Sequence, residues 1–257
     1  MSEAPDRSPS APDWRIDADF LHLELGAGAA HAWAVEVVEE TGSTNADLTQ
    51  ACRAAPWSDD ACSVRVAYRQ TAGRGRHGRP WRGQAGLTFS VAMPLALSPA
   101  RLSGLSLAVG LALAEALEDV DPALGARVGL KWPNDLLWKG KKLCGILSET
   151  ASETDRVHYA ITGIGLNVNM DESDLLSAGI DNPSSIKILR GTESDRGEIL
   201  AEVLRVFSEQ LRLLEEGPKG VQQLVTLYRN RCSTIGKEVR VLTDAGTDYG
   251  IAENVTL

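Results

Sequence analysis

The stretch Val128–Glu149, VGLKWPNDLLWKGKKLCGILSE, decides the fold class. Its apolar residues fall into three short runs, Val128 to Trp132, Leu136 to Trp138 and Leu143 to Glu149, each of strand rather than helix length. Pro133-Asn134-Asp135 separates the first two, and Lys139-Gly140-Lys141-Lys142 separates the last two. Strands joined by connections this short must run antiparallel, because a parallel pair needs a crossover of roughly a dozen residues or more.

Outward from this core the pattern alternates between strand and helix. Downstream, Val157 to Val168 adds a strand interrupted by Gly163 and Gly165. Upstream, Ala34 to Val38, Ser63 to Arg69 and Leu87 to Met93 read as strands. Ser43 is placed to cap a helix reaching about Ala55, with Leu48 and Cys52 inward and Pro56 closing it. Ser98-Pro99 opens a helix to about Glu118, with Ser as N-cap and Pro at the first helical position. Leu200, Val203, Phe207, Leu211 and Leu214 follow helical spacing over Glu198 to Glu216, and Gly217-Pro218 stops them. A second helix covers Val221 to about Arg231, and two short strands follow, Glu238 to Leu242 and Tyr249 to Ala252. Antiparallel runs with helices interspersed predict an α+β domain, a mixed and largely antiparallel sheet packed with helices. Two strands do not make an independent sheet, so residues 233–257 read as the start of a small β module, incomplete at Leu257. The expected organisation is a partly disordered extension over 1–32, a body over 33–232 and this module over 233–257.

Bulk properties bound the function. A chain of 257 residues buries a sufficient core without disulfides or metals. The formal net charge of −9 argues against general nucleic-acid binding, which needs a broadly basic face. Cys52, Cys62, Cys144 and Cys232 include no C-x-x-C pair and read as reduced thiols. His22, His31, His77 and His158 show no metal-ligand spacing. The start, MSEAPDRSPSAPDW, has no apolar run and is neither signal peptide nor anchor, and the uncharged stretch Leu102 to Ala114 is too short to span a bilayer. The expected setting is the cytoplasm.

The chemistry is announced by a charge anomaly. No acidic residue stands between Asp60 and Glu115, yet Arg65, Arg69, Arg74, Arg76, Arg79, Arg82 and Arg101 all do. Guanidinium forks suit carboxylate and phosphate, although a charge run alone reads more readily as a solvated loop. Within Gln70–Trp81, QTAGRGRHGRPW, Gly73, Gly75 and Gly78 satisfy G-x-G-x-x-G, but Arg79-Pro80-Trp81-Arg82-Gly83 is not the helix a dinucleotide fingerprint requires. No G-K-[ST] ends the motif, so a Walker A loop fails too. The remaining reading is a loop that orders when its arginines close on an anion. Lys131-Trp-Pro-Asn-Asp135 presents polar groups between apolar strands, Lys141 and Lys142 follow, and Gly163-Ile-Gly-Leu-Asn-Val-Asn169 allows close backbone approach to a ring or ribose.

Taken in order, Glu40-Thr-Gly-Ser-Thr-Asn45, Gln70-Thr-Ala-Gly-Arg-Gly-Arg-His-Gly-Arg79, Lys131-Trp-Pro-Asn-Asp135, Lys142-Leu-Cys-Gly-Ile-Leu147 and Gly163-Ile-Gly-Leu-Asn167 resemble the biotin–protein ligase family, from about Trp33 to the C-terminus. The resemblance implies a biotin/lipoate ligase fold of class II synthetase type with a C-terminal SH3-like module. It implies that ATP, with Mg²⁺, activates biotin to biotinyl-5′-AMP, and that a lysine of a biotin carboxyl carrier domain then takes the biotin. By matched motif, Ser43, Thr44, Asn45 and Gln70 should hold biotin, with Arg74, Gly75 and Arg76 ordering around it and Lys142 on its carboxylate and the α-phosphate. Lys142 and Arg74 are the expected catalytic pair; Arg76, Arg79, Trp81, Asn134 and Asn167 are expected on the ATP side, with no metal fixed by the protein. Some relatives carry a DNA-binding winged helix; the short Pro-rich segment before Trp33 does not fit one, so a ligase that is not a repressor is expected, monomeric or weakly dimeric. A lipoate–protein ligase or octanoyltransferase, and a non-catalytic biotin-binding regulator, are the alternatives.

Overall fold

The computed structural model describes residues 15–17, 21, 25, 32–54, 61–81, 85–94, 99–153, 156–243 and 246–256. In chain order these form β1 (Ala32–Thr41), α1 (Thr44–Ala54), β2 (Ala61–Gln70), β3 (Leu87–Pro94), α2 (Pro99–Val120) and the single turn α3 (Pro122–Gly125). There follow β4 (Val128–Lys131), β5 (Asp135–Trp138), β6 (Lys141–Glu153), β7 (Arg156–Leu166), α4 (Glu172–Ser177) and α5 (Ile186–Arg190). The chain continues through α6 (Arg196–Glu215), α7 (Pro218–Arg231), β8 (Glu238–Thr243) and β9 (Gly246–Ile251).

Seven strands make one sheet in the order β1-β2-β3-β7-β6-β5-β4. β1 and β2 pair in parallel with α1 as their crossover, and every other pairing in this sheet is antiparallel. The mixed α+β architecture expected from the sequence is the one observed. Side chains alternate across a strand, so β3 sends Phe89 and Val91 to one face and Thr88 and Ser90 to the other. The first face, with Ile146, Ile164 and Leu166, meets α2, α6 and α7 in the main core. From Gly104 to Leu117, α2 is buried almost all round, as a composition broken only by Ser106 and Glu115 requires. Its Gly110 lies against Leu130, Ile146 and Tyr228. On the second face α1 lays Leu48 and Cys52 over Ala92, Tyr159 and Ile161, covering part of the sheet. What α1 leaves uncovered is where the site lies.

Several expectations are corrected. Ile16, Leu21 and Leu25, placed in the N-terminal extension by sequence, are buried in the same core as Trp33. The folded body therefore begins before residue 33. Trp33 itself donates from Nε1 to Ser208 Oγ at 3.1 Å and stacks on Phe207 with ring centres 6.0 Å apart. β4 ends at Lys131 rather than Trp132, because Pro133 has no N–H for the ladder. β6 starts earlier and runs further than Leu143 to Glu149. The short helices α3, α4 and α5 escaped the apolar periodicity and are held by caps from Asp121, Asp171 and Ser185. Ser98 and Pro56, the expected cap and stop, lie outside the described residues.

β8 and β9 form a separate antiparallel hairpin that exposes Val241, Leu242, Tyr249 and Ile251. The chain then returns to the main body, where Val255 is buried and its carbonyl accepts from Arg229 Nε at 2.9 Å and Nη2 at 2.6 Å. Among the described residues no helix is long and apolar enough to cross a membrane.

All four cysteines are free; Cys52, Cys62 and Cys144 are buried and Cys232 is partly exposed. Burial, with a smaller contribution from Glu215, pushes the Cys62 thiol up to about 12, and burial raises Cys144 as well. Since the thiolate is the reactive form, native protein at pH 8 should label rapidly with a thiol reagent at Cys232 alone. Rapid labelling of Cys62 or Cys144, read by peptide mass analysis, would show that the core opens on the reagent's time scale.

Candidate active site

The uncovered part of the sheet is a cavity of about 1040 Å³, roofed by the Gly-Arg loop and walled by the 177–182 loop and the start of β8. Its floor follows from register. Thr88 of β3 pairs with Gly165 of β7, Gly165 with Gly145 of β6, and Gly145 with Asp135 of β5. One row across four strands thus reads Thr88, Gly165, Gly145, Asp135. Its two central positions have no side chain, which leaves a trough.

Trp81 lies in that trough. A Cβ on Gly165 would sit 2.1 Å from the Trp81 ring, and one on Gly145 would sit 3.3 Å from it. The loop that carries Trp81 closes on itself: Trp81 N–H donates to Gly73 O at 2.9 Å and Gly75 N–H to Arg79 O at 2.7 Å. His77, at the left-handed φ of 57°, makes the tight turn between them. Arg76 reaches across to donate from Nη1 to Asn134 Oδ1 at 3.2 Å. Asn134 is fixed in turn, donating from Nδ2 to Ile146 O at 2.8 Å and accepting the Ile146 N–H on its carbonyl at 2.9 Å.

At one end of the trough the polar side chains form a chain. Thr44 N–H donates to Gln70 Oε1 at 2.8 Å, and Thr44 Oγ1 lies 2.6 Å from Ser90 Oγ. Ser90 Oγ donates to Asn45 Oδ1 at 2.6 Å, and Asn45 Nδ2 donates to Glu149 Oε2 at 2.6 Å. Thr44, Asn45 and Ser90 are all buried. At the other end Lys142 Nζ pairs with Asp135 Oδ1 at 2.7 Å. Both backbone groups of Lys142 are tied: its N–H donates to Asn182 O at 2.8 Å, and its carbonyl accepts the Ser184 N–H at 2.9 Å. The strand is fixed while the ammonium faces the cavity.

Of the residues selected by sequence, Ser43, Thr44, Asn45, Gln70, Arg74, Gly75, Arg76, Arg79, Trp81, Asn134 and Lys142 all line this cavity. Asn167, expected on the ATP side, is not among the lining residues. It is fully buried and donates from Nδ2 to Ser184 O at 3.0 Å and Lys142 O at 3.3 Å, bracing the strand behind the lysine. Sequence reasoning passed over Thr88, Ser90, Glu149 and the pairing role of Asp135. Thr88 and Ser90, two polar residues at alternate positions of an apolar strand, were the signal for the first pair. Nothing local marked Glu149. Arg82 lies outside the described residues.

A cavity with a hydrogen-bonding pocket at one end, a lysine at the other and arginines above can bind an amphipathic carboxylate and a phosphate chain in contact. The profile of the biotin/lipoate A/B protein ligase family matches residues 35–167. The biotin–[acetyl-CoA-carboxylase] ligase of Mycobacterium tuberculosis is 38% identical over 252 residues, covering 93% of this chain and 86% of that protein. The bifunctional ligase/repressor of Bacillus subtilis is 36% identical over 73% of this chain, which spans only 57% of that longer relative. Among solved structures, the biotin protein ligase of Aquifex aeolicus in complex with biotin and ATP superposes with a TM-score of 0.66 at 31% identity, covering 85% of this chain and 86% of that one.

Proposed function

The chain belongs to the biotin/lipoate A/B protein ligase family, and on that premise we propose that it is a biotin–protein ligase. It activates biotin with ATP and transfers the biotin to a lysine of a carrier domain. The observation that carries this is one cavity lined at one end by Gln70, Thr44 and Asn45, which Ser90 links from behind, and at the other by Lys142.

The first pocket offers donors and acceptors in a buried place, which a cyclic urea can satisfy and a purely apolar head cannot. Thr44, Asn45 and Gln70, with Ser43 beside them, take the ureido ring. The valeryl chain then runs beside the Trp81 indole toward Lys142, which receives the carboxylate. In the first step a carboxylate oxygen forms a bond to the α-phosphorus, and the bond from that phosphorus to the bridging oxygen breaks, releasing pyrophosphate. Two anions must approach, so Lys142, Arg74, Arg76 and Arg79 screen their repulsion and stabilise the charge that develops. In the second step an acceptor amine attacks the anhydride carbonyl and AMP leaves. Trp81 excludes water from the trough, protecting the anhydride between the two steps.

Magnesium supplies charge neutralisation on the triphosphate. An ion carried by ATP needs only one or two protein oxygens, and Asp135 and Asn134 line the cavity and could provide them. Among the described residues no cluster of three His, Cys, Asp or Glu side chains could hold a metal by itself.

The body containing the seven-stranded sheet is the catalytic unit, and residues 233–257 serve the nucleotide and acceptor side, since Ser233, Thr234, Lys237, Glu238 and Val239 line the same cavity. Four free thiols suit the cytoplasm. A monomer is favoured: the β1 edge carries Glu36, Glu39 and Glu40, and the β4 edge is taken up by Cys232 and Ser233.

Pyrophosphate release from ATP and Mg²⁺ tests the reading, with biotin, lipoate or neither added. Release that requires biotin is expected. Release driven by lipoate would move the chain to the lipoate branch, and binding of biotin without any release would make it a sensor.

A further inference from the structure

Asn45 is held on three sides, and one of its holders is an exposed carboxylate that does not line the cavity. Glu149 of β6 is exposed and is absent from the cavity lining, yet its Oε2 accepts from Asn45 Nδ2 at 2.6 Å. Asn45 Nδ2 also approaches Leu147 O, at 3.4 Å. Opposite, a Cβ on Gly163 would stand 2.4 Å from Asn45 Oδ1, so the amide occupies space that only glycine leaves open. The third contact is Ser90.

A carboxylate has no proton to give, so whatever meets it must be a donor. The Asn45 NH₂ is therefore turned to Glu149, and its carbonyl oxygen is turned to Ser90 and the trough. Ser90 has one proton, which goes to that carbonyl, so the 2.6 Å contact between Ser90 Oγ and Thr44 Oγ1 is donated by Thr44, whose hydroxyl has Gln70 Oε1 as its more distant acceptor at 3.1 Å. Gln70 Oε1 then accepts from the Thr44 backbone N–H. The whole chain acquires a sense: Thr44 to Ser90 to Asn45, with the Asn45 amide anchored on Glu149. It leaves lone pairs of Asn45 and Thr44, and the NH₂ of Gln70, as unspent groups. A cyclic urea needs that set, two acceptors for its N–H groups and a donor for its carbonyl.

We infer that Glu149 is a positioning residue for ligand recognition, setting the sense of the Asn45–Ser90–Thr44 hydrogen-bond chain so that it presents acceptors to the N–H groups of a cyclic urea. The inference rests on the biotin reading. Because the Glu149 carboxylate stays in solvent, it anchors a buried amide without the cost of burying a charge. Without it either face of the Asn45 amide can turn to the trough, and the donor face repels a urea N–H.

The test is biotin affinity, by calorimetry without ATP, for the wild type, Glu149→Ala, Glu149→Gln, Asn45→Ala and the double variant Glu149→Ala/Asn45→Ala. Loss of a charge-assisted bond acting through Asn45 should weaken biotin roughly ten- to a hundredfold in Glu149→Ala. Glu149→Gln keeps an acceptor oxygen and should lose less. The double variant should bind no worse than Asn45→Ala, because the positioned group is already gone. An unchanged affinity in Glu149→Ala, or effects that add fully in the double variant, would overturn the inference. A wild type that binds no biotin would instead overturn the functional reading. Retained thermal unfolding of the exposed-site variants separates positioning from misfolding.

Discussion

Replacing Lys142 with alanine should lower biotin-dependent pyrophosphate release by about 10³-fold or more, while biotin affinity falls far less. The asymmetry follows from where charge develops. In the ground state the ammonium already has a partner, Asp135 at 2.7 Å, and a free carboxylate can be held by neighbouring donors. As the oxygen–phosphorus bond forms, negative charge builds on the α-phosphate oxygens beside the lysine. A preorganised cation at a developing oxyanion contributes about 3–4 kcal/mol, and each ~1.4 kcal/mol is tenfold in rate. Here the preorganisation is visible: the Lys142 N–H and carbonyl are both bonded to the 182–184 segment, and Asn167 braces the same carbonyl. Lys142→Arg should recover only part of the loss, since a planar fork does not reproduce a compact ammonium. Asp135→Asn is the companion: it keeps the shape but removes the counter-charge, and a change in KM for biotin or ATP there would report how far Asp135 aims the lysine. A Lys142→Ala protein that folds normally and releases pyrophosphate within tenfold of wild type would take the lysine out of the mechanism.

How much of this was legible in the sequence depends on the range of the forces involved. The hairpins β4-β5 and β5-β6 were readable because turn chemistry at Pro133-Asn134-Asp135 and Lys139-Gly140-Lys141 is local. α2 and α6 were readable because helical spacing is local too. The short α3, α4 and α5 were not, although Asp121-Pro122 and Asp171-Glu172-Ser173-Asp174 carry the capping signals that form them. Burial of Ile16, Leu21 and Leu25 was illegible for another reason: it depends on a groove made by distant parts of the chain. The same division runs through the site. The Gly-Arg loop and Lys142 announce themselves by composition and motif. Glu149 and Asn45 stand 104 positions apart in sequence and meet only because β6 and β7 are neighbours and α1 lies over them. The bracing by Asn167 was illegible because an asparagine after glycines looks the same whether its amide faces a ligand or, as here, its Nδ2 faces two backbone carbonyls.

Gly165→Val should reduce the efficiency of biotin activation by about 10²-fold, chiefly through KM for biotin, with a modest loss of thermal stability. A Cβ there would meet Trp81 Cε2 at 2.1 Å, Cζ2 at 2.2 Å and Nε1 at 2.6 Å, all in one side chain. These are the three nearest atoms, so the indole takes the first clash. The indole must lift, and the loop from Gly73 to Trp81 is tied to it through Trp81 N–H on Gly73 O and Gly75 N–H on Arg79 O. Lifting Trp81 therefore moves the peptide bonds that aim Arg74 and Arg76. Overpacking of this kind costs about 1–3 kcal/mol, and a misplaced charge cluster adds to the loss in the transition state. Gly145 pairs directly with Gly165, but its Cβ would stand 3.3 Å from the ring. Gly145→Ala should then be milder, and the order of the two is a sharper test than either alone. Tryptophan fluorescence on adding biotin gives a readout independent of turnover: the change expected in the wild type should shrink in Gly165→Val. Equal KM values in Gly165→Val and wild type would mean that the indole leaves the glycine floor when biotin binds, and that the trough is shaped for the ligand rather than for its lid.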